Sequence, residues 1–231
     1  MQRRSLPNPP PHAGEGTGAY SRSRRSIRCF TRTCLALLFA TLLSACGSLL
    51  QSKVDEPQVY RLQPSMAPTA AVAYSAELAV SLPTATPGLD TARIAVLRAG
   101  NQLDYFYGAR WGGTTPQVVQ AFLVALLQSQ QAYRSAVAEN SRVDADYVLD
   151  VEVRDFQAEY RSEGAAPLAH VSLMATLINI KSRAAVAQLR ASATITATDN
   201  RLGAVVTAFQ AALQQATVNL SEQLTASLEQ H

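Results

Sequence analysis

Apolar positions recur at two different periods along this chain, and the switches between them mark its elements. Val59-Tyr60-Arg61-Leu62 reads as a first short strand, and the Pro- and Ala-rich stretch from Pro64 to Ala73 as loop. Ala76, Leu78, Val80 and Leu82 then alternate with Glu77 and Ser81, which predicts a strand that Pro83 and Pro87-Gly88 end. Ile94–Leu97 and Leu103–Tyr107 are two extended runs around Arg98-Ala99-Gly100-Asn101, the pattern of a hairpin. Gly108, Gly112 and Gly113 are expected to loosen the chain around Trp111. Thr115 is then placed to cap a helix with Pro116 at its first position. Val119, Phe122, Leu123, Leu126 and Leu127 keep helical spacing through about Gln130.

The second half repeats the scheme with cleaner strands. From Asp146 to Arg154, Tyr147, Leu149, Val151 and Val153 point one way and Asp150, Glu152 and Arg154 the other. The apolar parity then moves to Phe156, Ala158 and Tyr160, so one extra residue near Arg154-Asp155 predicts a bulge. Val171, Leu173, Ala175 and Leu177 alternate again. Lys181-Ser182-Arg183 turns the chain, and Ala187, Leu189, Ala191, Ala193 and Ile195 return it. Asp199 or Asn200 is expected to cap a long final helix. Its stripe is Leu202, Val205, Val206, Phe209, Leu213, Ala216, Leu220, Leu224 and Leu228, opposed by Gln210, Gln214 and Glu222. Strands, a helix, strands and a helix make an α+β fold. Its sheet is expected to be largely antiparallel, with the two amphipathic helices packed on it. No internal repeat or second domain is visible, so residues 58–231 read as one domain.

Upstream of these elements the pattern is of another kind. Arg22, Arg24, Arg25, Arg28 and Arg32 lead into the apolar run Cys34–Leu43. About a dozen helical residues reach only about 18 Å, short of the roughly 30 Å hydrocarbon core, so the run suits a secretory signal and not a stable span. Its end, Leu43-Ser44-Ala45-Cys46, resembles the lipobox of bacterial lipoproteins. That resemblance implies a diacylglyceryl group on the Cys46 thiol, cleavage of the Ala45–Cys46 bond and an acylated new amino terminus, palmitate being the expected chain. Residues 1–45 are then the signal peptide, and 46–57 a lipidated tether of ten or so residues that spans at most about 35 Å. The proline-rich start, Pro7-Asn8-Pro9-Pro10-Pro11, is unlike a signal peptide, and residues 1–21 are expected to reflect a start codon placed too early.

Removal of the leader reverses the charge. Residues 1–45 carry seven Arg against Glu15 alone. Residues 46–231 keep thirteen basic and sixteen acidic side chains, a net of −3. The basic character therefore belongs to the leader and does not indicate nucleic-acid binding. Cys29 and Cys34 leave with it, so the mature chain has Cys46 alone and no internal disulfide.

Candidate chemistry is sparse. His12 lies in the leader and His231 ends the sequence, leaving His170 near the start of a strand, where a structural role outweighs a catalytic one. There is no G-x-S-x-G elbow, glycine-rich phosphate loop or metal-spaced Cys/His set. Asp144, Asp146, Asp150, Glu152, Asp155 and Glu159 are the densest acidic region. Arg154 shares the face of Asp150 and Glu152, so a solvated surface explains it better than a cation site. No catalytic residue, cofactor or metal is expected. Tyr105, Phe106, Tyr107 and Trp111 form an aromatic group that either packs in the core or, through Tyr105, Tyr107 and Trp111, contacts a partner or lipid. The last two turns of the final helix could overhang the sheet and serve the same purpose.

Two ordered segments carry a family resemblance. Pro87-Gly88-Leu89-Asp90-Thr91-Ala92-Arg93-Ile94-Ala95 with Leu103 to Trp111 forms the first. Ala145-Asp146-Tyr147-Val148-Leu149 with Arg154 to Tyr160 forms the second. In order and spacing they resemble the ABC-type transport auxiliary lipoproteins, the PqiC-like family, although Gly112-Gly113-Thr114-Thr115-Pro116 departs from the polar residue and proline that often follow the tryptophan. The resemblance implies a non-enzymatic lipoprotein at the outer membrane, facing the periplasm on its lipid anchor. Its partners would be an MCE-domain protein and the associated ABC permease and ATPase of a lipid transport system. It implies no catalytic residues and no site besides Cys46. Self-association as a homo-oligomer stays open, as do the lipid and the direction of transport. The competing readings are a structural or assembly lipoprotein of the envelope without a transporter, and a periplasmic hydrolase, which the missing nucleophile–base sets disfavour.

Overall fold

The computed structural model describes residues 56–65, 74–162 and 164–230. The expected leader, Cys46 and nearly all of the tether lie outside the described residues, as does most of the Pro64–Ala73 loop. Residues 55–231 form one compact unit. In chain order its elements are β1 (Gln58–Tyr60), β2 (Tyr74–Val80), β3 (Thr84–Ala85), β4 (Arg93–Arg98), β5 (Gln102–Trp111), α1 (Thr115–Gln130), β6 (Tyr133–Ala138), β7 (Tyr147–Glu159), β8 (Leu168–Asn179), β9 (Ala184–Thr196) and α2 (Leu202–Leu228).

Strand β7 organises the sheet. Along one edge it pairs antiparallel with β8 over its full length, and β8 pairs the same way with β9. Along the other edge β2, β3 and β4 take its successive segments, all parallel. Strand β6 extends the sheet beyond β2, and β5 then β1 extend it beyond β4. The long ladders and the β4–β5 hairpin are antiparallel, as the short connections predict. The short pairings of β1, β2, β3 and β4 run parallel, a feature that local periodicity does not carry. Parallel partners need a crossover, and α1 directly precedes β6 to supply one.

The predicted bulge is present. The β7–β8 register shifts between Val153 and Asp155, which lets Leu149, Val151, Val153, Phe156 and Ala158 all reach the core despite the change of parity. Helix α2 lies on β8 and β9, and α1 on β6 and β2. Trp111, Phe156 and Phe209 meet under α2. The Trp111 ring lies 5.7 Å from Phe156 and 5.3 Å from Phe209 in edge-on contacts, and the two Phe rings stack at 5.1 Å.

Four local expectations are corrected. Thr114, not Thr115, caps α1, and Gln117 reaches back to accept the Thr114 N–H at 2.9 Å, placing Pro116 one position later than expected. Arg201 is the cap position of α2; Asp199 instead accepts the Arg201 N–H at 2.7 Å and its guanidinium, a local turn that ends before the helix begins. Leu82 lies beyond the end of β2 and is 55% exposed. The glycines loosen the chain around Trp111 without ending β5 before it: Gly108 turns at φ +64° and Gly112-Gly113 bend the chain after the strand, while β4 holds Arg110 and β1 holds Ala109 to Trp111 in register, so the expectation is corrected only in where the strand stops.

Candidate functional site

The hairpin of β4 and β5 sorts the aromatic group into different environments. Arg98 pairs with Gln102 and Ala95 with Tyr105, but the next pair is Arg93 with Arg110. Phe106, Tyr107, Gly108 and Ala109 thus stand opposite Ile94 alone, a wide bulge. Gly108 has φ +64° with open space around it, a backbone turn that a side chain would strain. Tyr107, beside it, is 95% exposed. Tyr105 is half-buried: its hydroxyl donates to the Gly88 carbonyl at 2.9 Å and the Arg93 guanidinium covers its ring at 3.6 Å. Trp111 is 1% exposed. Its place in the core removes it from any contact surface, which corrects the expectation that grouped it with Tyr105 and Tyr107.

Around the bulge lies a shallow open cleft of about 580 Å³, lined by Pro57, Arg93, Arg98, Phe106 and Arg110 among others. A second cleft, of about 560 Å³, shares Arg98 and adds Tyr160 and Arg161. Asp104 joins Arg98 at 3.3 Å; the Tyr105 N–H, and after it the Arg98 guanidinium, hold its carboxyl below the usual range. Burial pushes the Tyr160 hydroxyl upward, with nearby Arg98 opposing. Sequence reasoning missed these arginines because they are scattered. They converge only through the β4–β7 pairing and the bulge.

The end of α2 does not overhang. Leu224 is buried, Gln223 donates to the Arg190 carbonyl at 2.9 Å, and the Tyr74 hydroxyl donates to Glu229 at 2.7 Å. Docking leaves a cleft of about 300 Å³ between the two helix ends, lined by Gln130, Ala132, Ser221, Glu222, Thr225, Ala226 and Glu229. The acidic region is dispersed by its neighbours. Asp146 accepts the Glu77 N–H, Asp150 the Ser81 hydroxyl and Glu152 the Arg154 guanidinium, while Glu159 meets His170 Nδ1 at 2.9 Å. Among the described residues no group of three such side chains is placed to hold a metal. No described helix is long and apolar enough to cross a membrane.

Comparison with known proteins gives this architecture its class. The family model for the ABC-type transport auxiliary lipoprotein component matches residues 60–221, and the chain belongs to that family. Protein XCC0632 from Xanthomonas campestris, of family DUF330, is 24% identical, superposes with a TM-score of 0.67, and is matched over 75% of this chain and 98% of its own. A further uncharacterized protein is 16% identical with a TM-score of 0.58, over 74% of this chain and 99% of its own. PelC from Paraburkholderia phytofirmans, a dodecamer, is 15% identical with a TM-score of 0.40 over 67% and 92%. No curated protein matches the chain.

Proposed function

We propose that this protein is an outer-membrane lipoprotein that serves an MCE-type lipid transport system by docking its periplasmic MCE-domain component. The observation that carries the proposal is the family match, which spans β7, α1 and most of α2 and names a transport auxiliary. The resemblance of Leu43-Ser44-Ala45-Cys46 to a lipobox supports a lipid anchor at Cys46, with Gly47 where inner-membrane retention often uses Asp. Binding, not chemistry, is the mode of action. Asp146, Asp150, Glu152 and Glu159 with His170 are tied into local structural pairs.

The docking surface is the cleft between the helix ends, open, walled by Ala132 and Ala226 and rimmed by Glu222 and Glu229. The test is crosslinking in cells from photo-reactive residues at Ala226 and, separately, at Tyr107. Capture of an MCE-domain protein through Ala226 is the expected result. Capture from neither position, with lipid distribution and envelope integrity unchanged on deletion, would favour the structural-lipoprotein reading.

A further inference from the structure

We infer that the arginine and tyrosine surface around the β5 bulge is a membrane-contact face that binds anionic phospholipid headgroups. The inference rests on the lipid-anchor reading of Cys46. The two clefts that share Arg98 bring together Arg93, Arg98, Arg110 and Arg161, with Asp104 the one acid among their described lining residues. Glu163, between Ser162 and Gly164, lies outside the described residues. This is a concentration of positive charge on a mature chain whose net charge is −3, so it is a local device and not a reflection of composition. The aromatic members suit an interface: Tyr107 is almost fully exposed on the bulge, Phe106 is half-buried in the cleft lining, and the Arg93 and Arg98 guanidinium groups lie over the half-buried Tyr105 and Tyr160 rings at 3.6 and 5.7 Å. Tyrosines with wet tips and arginines with apolar stems are the side chains that settle at headgroup level.

The anchor selects the membrane over an acidic protein as the occupant. Pro57, the second described residue, is itself part of the cleft lining. The chain therefore leaves the domain at this surface, and the tether back to Cys46 reaches at most about 35 Å. The opposite end of β7, where Asn179 pairs with Tyr147 and Ser182 turns the chain, is about 40 Å away along the strand. A short tether attached beside a basic face holds that face near the bilayer, where each arginine adds attraction to anionic lipid.

The test uses the full-length chain purified from membranes, with Tyr107→Cys or Ser182→Cys labelled with a polarity-sensitive dye. Cys46 is acylated in this reading and Cys29 and Cys34 are cut away, so the new thiol is the one labelled. The protein is reconstituted into vesicles of phosphatidylcholine alone or mixed with phosphatidylglycerol, each containing a headgroup-spin-labelled quencher lipid. The Tyr107→Cys probe should be quenched strongly in anionic vesicles and weakly in zwitterionic ones, with the Ser182→Cys probe unquenched in both. Adding Arg110→Glu, or Arg161→Glu as a second variant, should shift the equilibrium away from the surface about fivefold or more. Equal quenching at the two positions, or no response to lipid charge, would overturn the assignment. So would crosslinking of Tyr107 to an MCE-domain protein in cells. Intact mass separates the two failures: an unacylated chain defeats the anchor reading, and an acylated chain with an unquenched probe defeats the membrane face.

Discussion

Tyr105, Tyr107 and Trp111 share a parity, and a regular strand would point them to one face. The bulge at Phe106–Ala109 is what separates them, with Gly108 at φ +64° supplying the turn. Trp111→Ala should accordingly lose about 3–5 kcal/mol of stability, since it empties the contact with Phe156 and Phe209. Tyr107→Ala should stay within about 0.5 kcal/mol. Urea denaturation of both variants decides this, and similar losses would mean that the bulge is misplaced. A second residue-scale consequence concerns Tyr74. Its hydrogen bond to Glu229, then desolvation, pushes its hydroxyl from 10.0 up to about 12. The raised value means that the pair's contribution is present below pH 10 and is lost as pH rises through about 12. Glu229→Gln should bring the Tyr74 titration down toward the ordinary tyrosine range, read by phenolate absorbance against a Tyr74→Phe reference.

At the scale of elements, β7 shows what periodicity can and cannot deliver. Alternation identified Leu149, Val151, Val153, Phe156 and Ala158 as inward, though Tyr147 is only half-buried and Tyr160 lies beyond the strand, and the parity change between Val153 and Phe156 located the bulge. These are local signals: a side chain facing the core must be apolar wherever its strand partner comes from. Val151 is 1% exposed while the Glu152 side chain is 42% exposed beside Arg154, so Val151→Asp should cost about 4 kcal/mol and Glu152→Lys almost nothing. Thermal unfolding of the two variants checks it; equal shifts would reverse the faces. The parallel docking of β2, β3 and β4 along β7 could not be read this way. Partner choice between distant strands depends on the whole packing arrangement, and each of these strands is short. The caps failed for a smaller reason. Thr114 and Thr115 are both competent as residue types, but Gln117 reaches back to the Thr114 N–H, and the buried Thr115 gives both its hydroxyl and its N–H to the Thr91 carbonyl. Asp199 found a nearer partner in Arg201.

For the whole molecule, family membership was legible in ordered motifs, whereas the basic face and the helix-end cleft were not, because each gathers residues from remote segments. Charge connects sequence to maturation in a way that can be measured directly. The full sequence has pI about 8.9, but seven of its arginines precede Cys46. If the Ala45–Cys46 bond is cut, the mature chain keeps a net of −3, and acylation of its new amino terminus removes one further positive charge. The protein extracted from membranes should therefore focus at an acidic pH. Cys46→Ala removes the thiol that would carry the lipid, so the precursor should persist uncut and focus at a basic pH, heavier by the leader. Isoelectric focusing with intact mass on both forms is the measurement. A wild-type protein that focuses at a basic pH would show that the arginines of residues 1–45 are retained. In that case the tether, and with it the short reach that holds the Arg93–Arg110 surface beside a bilayer, would have to be abandoned.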